Sequence, residues 1–200
     1  MQDLLRTLLQ QRHLSRVPDE GWEKPAANLE WSCRETAAHI LDDLGGYGMQ
    51  LSGERGHGSD YTPLAERIQP RPDGPAFLFW PEEDGGTQAI CDCLDAVGGL
   101  LVAVVATAPP SRIGWHLYGN PDATGLAAMG IAETTLHALD ILRAHAIDYR
   151  PDDAISGRVL DRIFRDAQRS TDPWHELLAA TGRTASTRGI EWRWDSSVRR

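Results

Sequence analysis

Glu133 and His137 stand four residues apart in Gly130-Ile-Ala-Glu133-Thr-Thr-Leu-His137-Ala-Leu-Asp140. On a helix that spacing points a carboxylate and an imidazole in the same direction. At about 100° per residue, the apolar stripe of this helix runs through Leu126, Met129, Leu136, Ala144 and Ile147. Glu133 falls near the middle of the stripe with His137 and Asp140 beside it, whereas a surface helix keeps such residues on its outer face. A charge set into a core must be neutralised, paired or bound to a metal.

An E-x3-H pair recurs by chance on helices and is then a solvated ion pair or a structural hydrogen bond. The chemical alternative is a metal site, which needs a third ligand from elsewhere, since a catalytic zinc typically has three protein ligands and one open position. The best further candidate is His39, with Glu35 and Asp43 four residues to either side. His39 lies off the centre of its own apolar stripe, so periodicity supports the Glu133–His137 pair without selecting His39. Asp140 is placed either to orient a ligand histidine or to be a salt-bridged interior acid.

The elements that must carry these residues read as helices. Leu4, Leu5, Leu8 and Leu9 predict an amphipathic helix over 2–14. A second runs from Trp31 to about Gln50, with Ala37, Ile40, Leu41, Leu44, Tyr47 and Leu51 on one face. Residues 52–86 are rich in Gly, Pro and charge, and a segment of that length is either functional or poorly ordered. Thr87 is expected to N-cap a third helix reaching Thr107, where Pro109-Pro110 stops it. The run Ala96–Ala108 is too short to span a bilayer and reads as a buried helix. Asp122 caps the helix of Glu133, reaching about Ala146; Asp152-Asp153 open a fifth ending near Gln168, and Asp172-Pro173 a sixth. The last fifteen residues, with Trp192 and Trp194, read as a short strand or an ordered tail. The sum is an all-α protein, most simply a four-helix bundle, a fold that builds metal and cofactor sites from inward-pointing side chains.

Two hundred residues suit one domain: a bundle over 1–150 with 151–200 as a short helical extension packed on it. A formal charge of −9 argues against nucleic acid or an anionic membrane as the main partner. Three cysteines fit a reducing cytosol better than a disulfide framework, and the Cys91-x-Cys93 pair reads as core filling. The opening Met-Gln-Asp-Leu-Leu-Arg lacks the pattern of a signal peptide. Lys24 is the sole lysine among twenty Lys and Arg residues, a bias that hints at a G+C-rich genome. His13, His57 and His175 read as surface residues, and His145 as a solvated or helix-terminal histidine. Trp31, Trp80, Trp115 and Trp174 read as core or junction packing.

Two longer segments resemble a known family. Trp31-Ser-Cys-Arg-Glu-Thr-Ala-Ala-His39-Ile-Leu-Asp-Asp-Leu is similar to the second-helix segment of the mycothiol-dependent maleylpyruvate isomerases, within the DinB-like group of metal-binding four-helix bundles. His116-Leu-Tyr118-Gly119-Asn-Pro-Asp122-Ala-Thr-Gly125-Leu-Ala-Ala-Met129, followed by Glu133-x3-His137, resembles its fourth-helix segment. Asp172-Pro-Trp-His-Glu-Leu-Leu-x3-Gly182-Arg183 also looks like a segment found in members of the family. The likeness covers roughly residues 1–150. It implies a metal triad of His39, Glu133 and His137, with zinc as the default ion and nickel, iron or manganese open. It also implies a low-molecular-weight thiol, mycothiol, that attacks a small electrophile in an isomerisation or S-transfer. His116 and Tyr118, in the connector before the fourth helix, are the candidate acid–base residues; a packed imidazole and a core tyrosine are the structural alternatives. The isomerases are longer, with a substantial C-terminal domain, so maleylpyruvate itself is not expected as the substrate. The remaining readings are a metal-hydroxide hydrolase, which shares the site, and a non-catalytic binding or regulatory bundle. The expected state is a cytoplasmic monomer or homodimer.

Overall fold

The computed structural model describes residues 10–54, 59–187 and 192–198. Its helices are α1 (Cys33–Leu51), α2 (Gly86–Thr107), α3 (Ala123–Ala144), α4 (Asp153–Ile163) and α5 (Pro173–Ala180), joined by 3-10 turns and irregular segments with no strand among the described residues. The protein is all-α. The expected helix over 2–14 lies largely outside the described residues; its end, Gln10–Arg16, is 3-10 and packs on α2 and α3. His57 also lies outside them.

Local chemistry sets most of the helix starts. Ser32 Oγ accepts from Glu35 N while the Glu35 carboxylate accepts from Ser32 N, a reciprocal capping box that opens α1. Asp122 accepts from Gly125 N, Asp152 from Ala154 N, and Asp172 from His175 N with Pro173 in the first turn. Thr87 departs from expectation. The helix begins two residues earlier, at Gly86, without a side-chain cap, and the Thr87 hydroxyl is engaged elsewhere: it accepts from Trp22 Nε1 and donates to Val17 O. Helix α4 stops at Ile163 rather than near Gln168, and the tail 192–198 is extended without ladder pairing.

Helix α3 is the axis of the molecule. Every residue from Gly125 to Leu142 is buried, against α1 on one side and α4 on the other, with α5 packed behind α4. A helix buried all round has no outer face for its polar residues. Glu133, Thr134, Thr135, His137 and Asp140 are therefore interior groups that must find partners inside. The stripe argument picks out Glu133, but the cause of its burial is the position of the whole helix.

Helix α2 differs from expectation in the other direction. It buries only Ile90, Leu94, Gly98, Leu101 and Val102, against α1, while Leu100 is 57% exposed. By length and composition alone, Glu83–Thr107 is long and apolar enough to cross a membrane. Cys91 and Cys93 are partly buried at the edge of the core, and Cys33 is fully buried, its thiol pushed up to about 11 by desolvation.

The long segment after α1 is held along that helix in its described part. Asp42 accepts from the backbone N–H groups of Leu78 and Phe79, Glu35 receives Arg71 at 2.7 Å, and Ile68 and Phe77 exchange backbone hydrogen bonds. The tail returns over α3 and α4: Ser196 N donates to Tyr118 O, Asp195 N to Ile163 O, and Arg162 to Ser196 O. Gly119, at φ +117°, makes this approach possible, since a Cβ there would sit 2.7 Å from Ser197 N.

Candidate metal centre

Helices α1 and α3 cross with His39 on one and Glu133 and His137 on the other. One ligand-competent atom from each of the three lies within 4.8 Å of the other two. Glu133 Oε2 is 3.2 Å from His137 Nε2 and 3.8 Å from His39 Nε2. The two imidazoles meet edge to face with centroids 5.0 Å apart. Glu133 is 3% exposed, and its Oε2 has no aligned hydrogen-bond donor. A buried carboxylate oxygen without a donor is costly, and a cation held between it and the two rings would remove that cost.

The electrostatics prepare the two imidazoles differently. Burial, reinforced by the neighbouring His137, lowers His39 to about 4, which favours its neutral form near pH 7. Burial also disfavours charge on His137, but the Asp140 and Glu133 carboxylates outweigh it and hold this imidazole above its ordinary value. A divalent ion at Nε2 would therefore compete with protonation of that nitrogen. Burial pushes Glu133 up; the His137 and His39 rings, and more distantly Arg183, more than offset it and leave the carboxyl below its usual range.

Asp140 holds His137 in position. Its Oδ2 lies 3.2 Å from His137 Nδ1 and 2.6 Å from Arg183 Nη2, and Arg183 Nε reaches both of its oxygens. A carboxylate on Nδ1 fixes that nitrogen as the proton carrier and turns Nε2 toward the site, the usual support for a metal-binding histidine. Asp43, one turn along from His39, approaches His39 Nε2 to 3.2 Å. Burial and then the charge of Glu133 push its carboxyl well above the ordinary range.

Two cavities flank the cluster, sharing Trp31 and His39 on their walls. One, of about 450 Å³, also exposes Glu133 and His137 and is walled by Tyr118, Trp192 and Trp194. The other, of about 410 Å³, lies between α1 and the segment around Tyr61–Leu78 and reaches His116. His116 and Tyr118 thus stand on opposite cavities. His116 stacks on Trp194 and accepts at Nδ1 from Tyr118 N, and burial lowers its affinity for a proton. No hydrogen bond or ring contact among the described residues joins either residue to the three clustered ligands.

Arg183, Trp192 and Trp194 complete the surroundings, with Arg183 over the Trp192 ring at 5.0 Å. Nothing in local periodicity marks them, because each comes from a segment remote in sequence and irregular in structure. Asp43 carries a signal, its i+4 spacing from His39. Of the other histidines, His175 is exposed, His13 packs edge-on to Tyr149, and His145 is half-buried beside Cys33, its basicity lowered by desolvation. Comparison of the chain with protein-family models, with curated proteins and with solved structures returns no match.

Proposed function

We propose that this protein is a divalent-metal-dependent enzyme that uses a small thiol, mycothiol or a molecule like it, to isomerise or accept a group from a small electrophile. This is the DinB-like, maleylpyruvate isomerase-like reading of the chain, with His39, Glu133 and His137 as ligands. The observation that carries it is the cluster itself, with ligand-competent atoms of His39, Glu133 and His137 all within 4.8 Å of one another, Glu133 buried, and His137 held by Asp140. Two imidazoles and one carboxylate suit zinc, iron, nickel or manganese. A divalent ion in such a set keeps positive charge and stabilises the deprotonated form of a thiol or water at its open position.

The chain supplies the rest. Glu133 and His137 open onto a cavity walled by Tyr118, Trp192 and Trp194, while His39 also borders the second cavity. A thiol seated on the aromatic side and an electrophile on the other would meet at the ligands. His116 borders one cavity and Tyr118 the other, and on this reading they would be the acid–base groups.

Elemental mass spectrometry of the purified protein tests the reading first. One divalent ion per chain is expected, absent from Glu133→Ala while its far-ultraviolet dichroism stays helical. A stoichiometric ion retained by Glu133→Ala would overturn the assignment. Metal-dependent consumption of mycothiol with an electrophile supports the thiol chemistry; an active enzyme indifferent to thiols would identify a hydrolase.

A further inference from the structure

The cavity of about 410 Å³ between α1 and the segment around Tyr61–Leu78 has an unusual combination of walls. Trp31, Tyr47, Tyr61 and Phe77 give it aromatic surface, and Asp42, Asp43 and Glu66 give it carboxylates. Among the described residues, no lysine or arginine lines it. Asp42 is engaged by two backbone N–H groups, but Asp43 Oδ2 is buried without a hydrogen-bond partner. Tyr47, 4% exposed, stands on the same wall. Asp43 Oδ2, 3.2 Å from the His39 ring nitrogen but without an aligned donor, can accept from a ligand that donates.

We infer that this cavity binds a small organic cation, an amine or ammonium carried on a compact apolar body. Ring faces and carboxylates together make the environment that recognises an ammonium group: the aromatic quadrupoles attract the charge, and the acids complete it. A protonated amine also brings donors for Asp43, whereas a quaternary ammonium relies on the ring faces and charge alone. Anion recognition needs the opposite equipment, arginine forks or convergent N–H groups, and here the free backbone donors of Leu78 and Phe79 are already given to Asp42. A divalent ion at the neighbouring ligands would offset Glu133 and one further carboxylate, leaving this wall still negative. The inference deepens the proposed function, on which it rests for the fate of the bound molecule: the electrophile is cationic, and carboxylate substrates are turned away.

The binding step is testable without the metal. Isothermal titration of the chelator-treated protein would use phenethylammonium, benzyltrimethylammonium (which cannot ligate a metal) and 3-phenylpropionate. Both cations are expected to bind about tenfold tighter than the carboxylate. Tyr61→Ala and Glu66→Gln, both at exposed positions, are each expected to weaken the cations several-fold and leave the carboxylate unchanged. Equal or tighter binding of 3-phenylpropionate, no binding of either cation, or cation binding insensitive to both substitutions would overturn the inference. Repeating the titration on the ion-loaded protein separates the two claims, because failure to load an ion refutes the metal reading and leaves the cation result standing.

Discussion

At the scale of single residues, the site depends on a carboxylate that is not one of the three clustered residues. Asp140 is pinned by Arg183 and in turn fixes His137, so its effect on an ion is exerted through the imidazole. Replacing Asp140 by Asn keeps the shape but removes the charge that holds the Nδ1 proton. Affinity for the divalent ion, measured by competition with a fluorescent chelator, is expected to fall about 10- to 100-fold. An unchanged affinity would make Asp140 a purely structural acid. Sequence periodicity exposes Glu133, His137 and Asp140 because they share one helix. It does not expose Arg183, which reaches Asp140 from beyond α5 through tertiary packing. His39 stands between these cases: its spacing to Asp43 is visible, yet only the crossing of α1 over α3 brings it to Glu133.

At the scale of elements, the Ser32–Glu35 box of α1 is seen only in the structure, whereas the caps of α3–α5 are legible because a cap is a local hydrogen bond. The cap of α2 is not, because Thr87 is drawn into a long-range contact with Trp22 and Val17. Asp122 offers the clearest test. It caps the axial helix and also receives Arg162 at 3.0 Å. Burial acts to raise its pKa, but hydrogen bonds from Thr124, Gly125 and Arg162 overcome this and hold it below its ordinary value of 3.8. A lowered carboxyl contributes stability above its unfolded value and loses it as pH falls through the folded one. Asp122→Ala is expected to cost about 1–2 kcal/mol at pH 7 in urea unfolding. The gap to wild type should narrow as pH drops below 3.8. A gap constant down to that range would mean that the charged form is not what caps the helix. The outer face of α2 shows the limit of composition: an apolar run reads as buried, yet burial depends on what packs against it, and only one stripe is covered here.

At the scale of the whole molecule, the C-terminal tail belongs to the site although it has no regular structure. Trp192 stacks on Phe164 and reaches the His137 ring, and Trp194 stacks on His116. No period announces this, since an extended tail is positioned by contacts rather than by its own hydrogen bonds. Trp192→Ala with Trp194→Ala should open the aromatic cavity. The expected outcome is faster loss of the bound ion to a chelator in stopped-flow, with helicity largely retained. A release rate equal to wild type would show the tail to be packing only.

His39 and Glu133 lie almost a hundred residues apart in the chain but face each other across two helices. An ion shared between them is a removable cross-link, and the unfolded chain cannot bind it with the same affinity. Folding and metal supply are then one equilibrium: ion at a hundred times its dissociation constant adds about 2.7 kcal/mol to stability. The melting temperature should therefore climb with free ion concentration and fall on chelation, and His39→Ala should melt at one temperature whatever the ion. In a cell short of metal, the first consequence would be a shorter lifetime of the folded chain, alongside the loss of turnover.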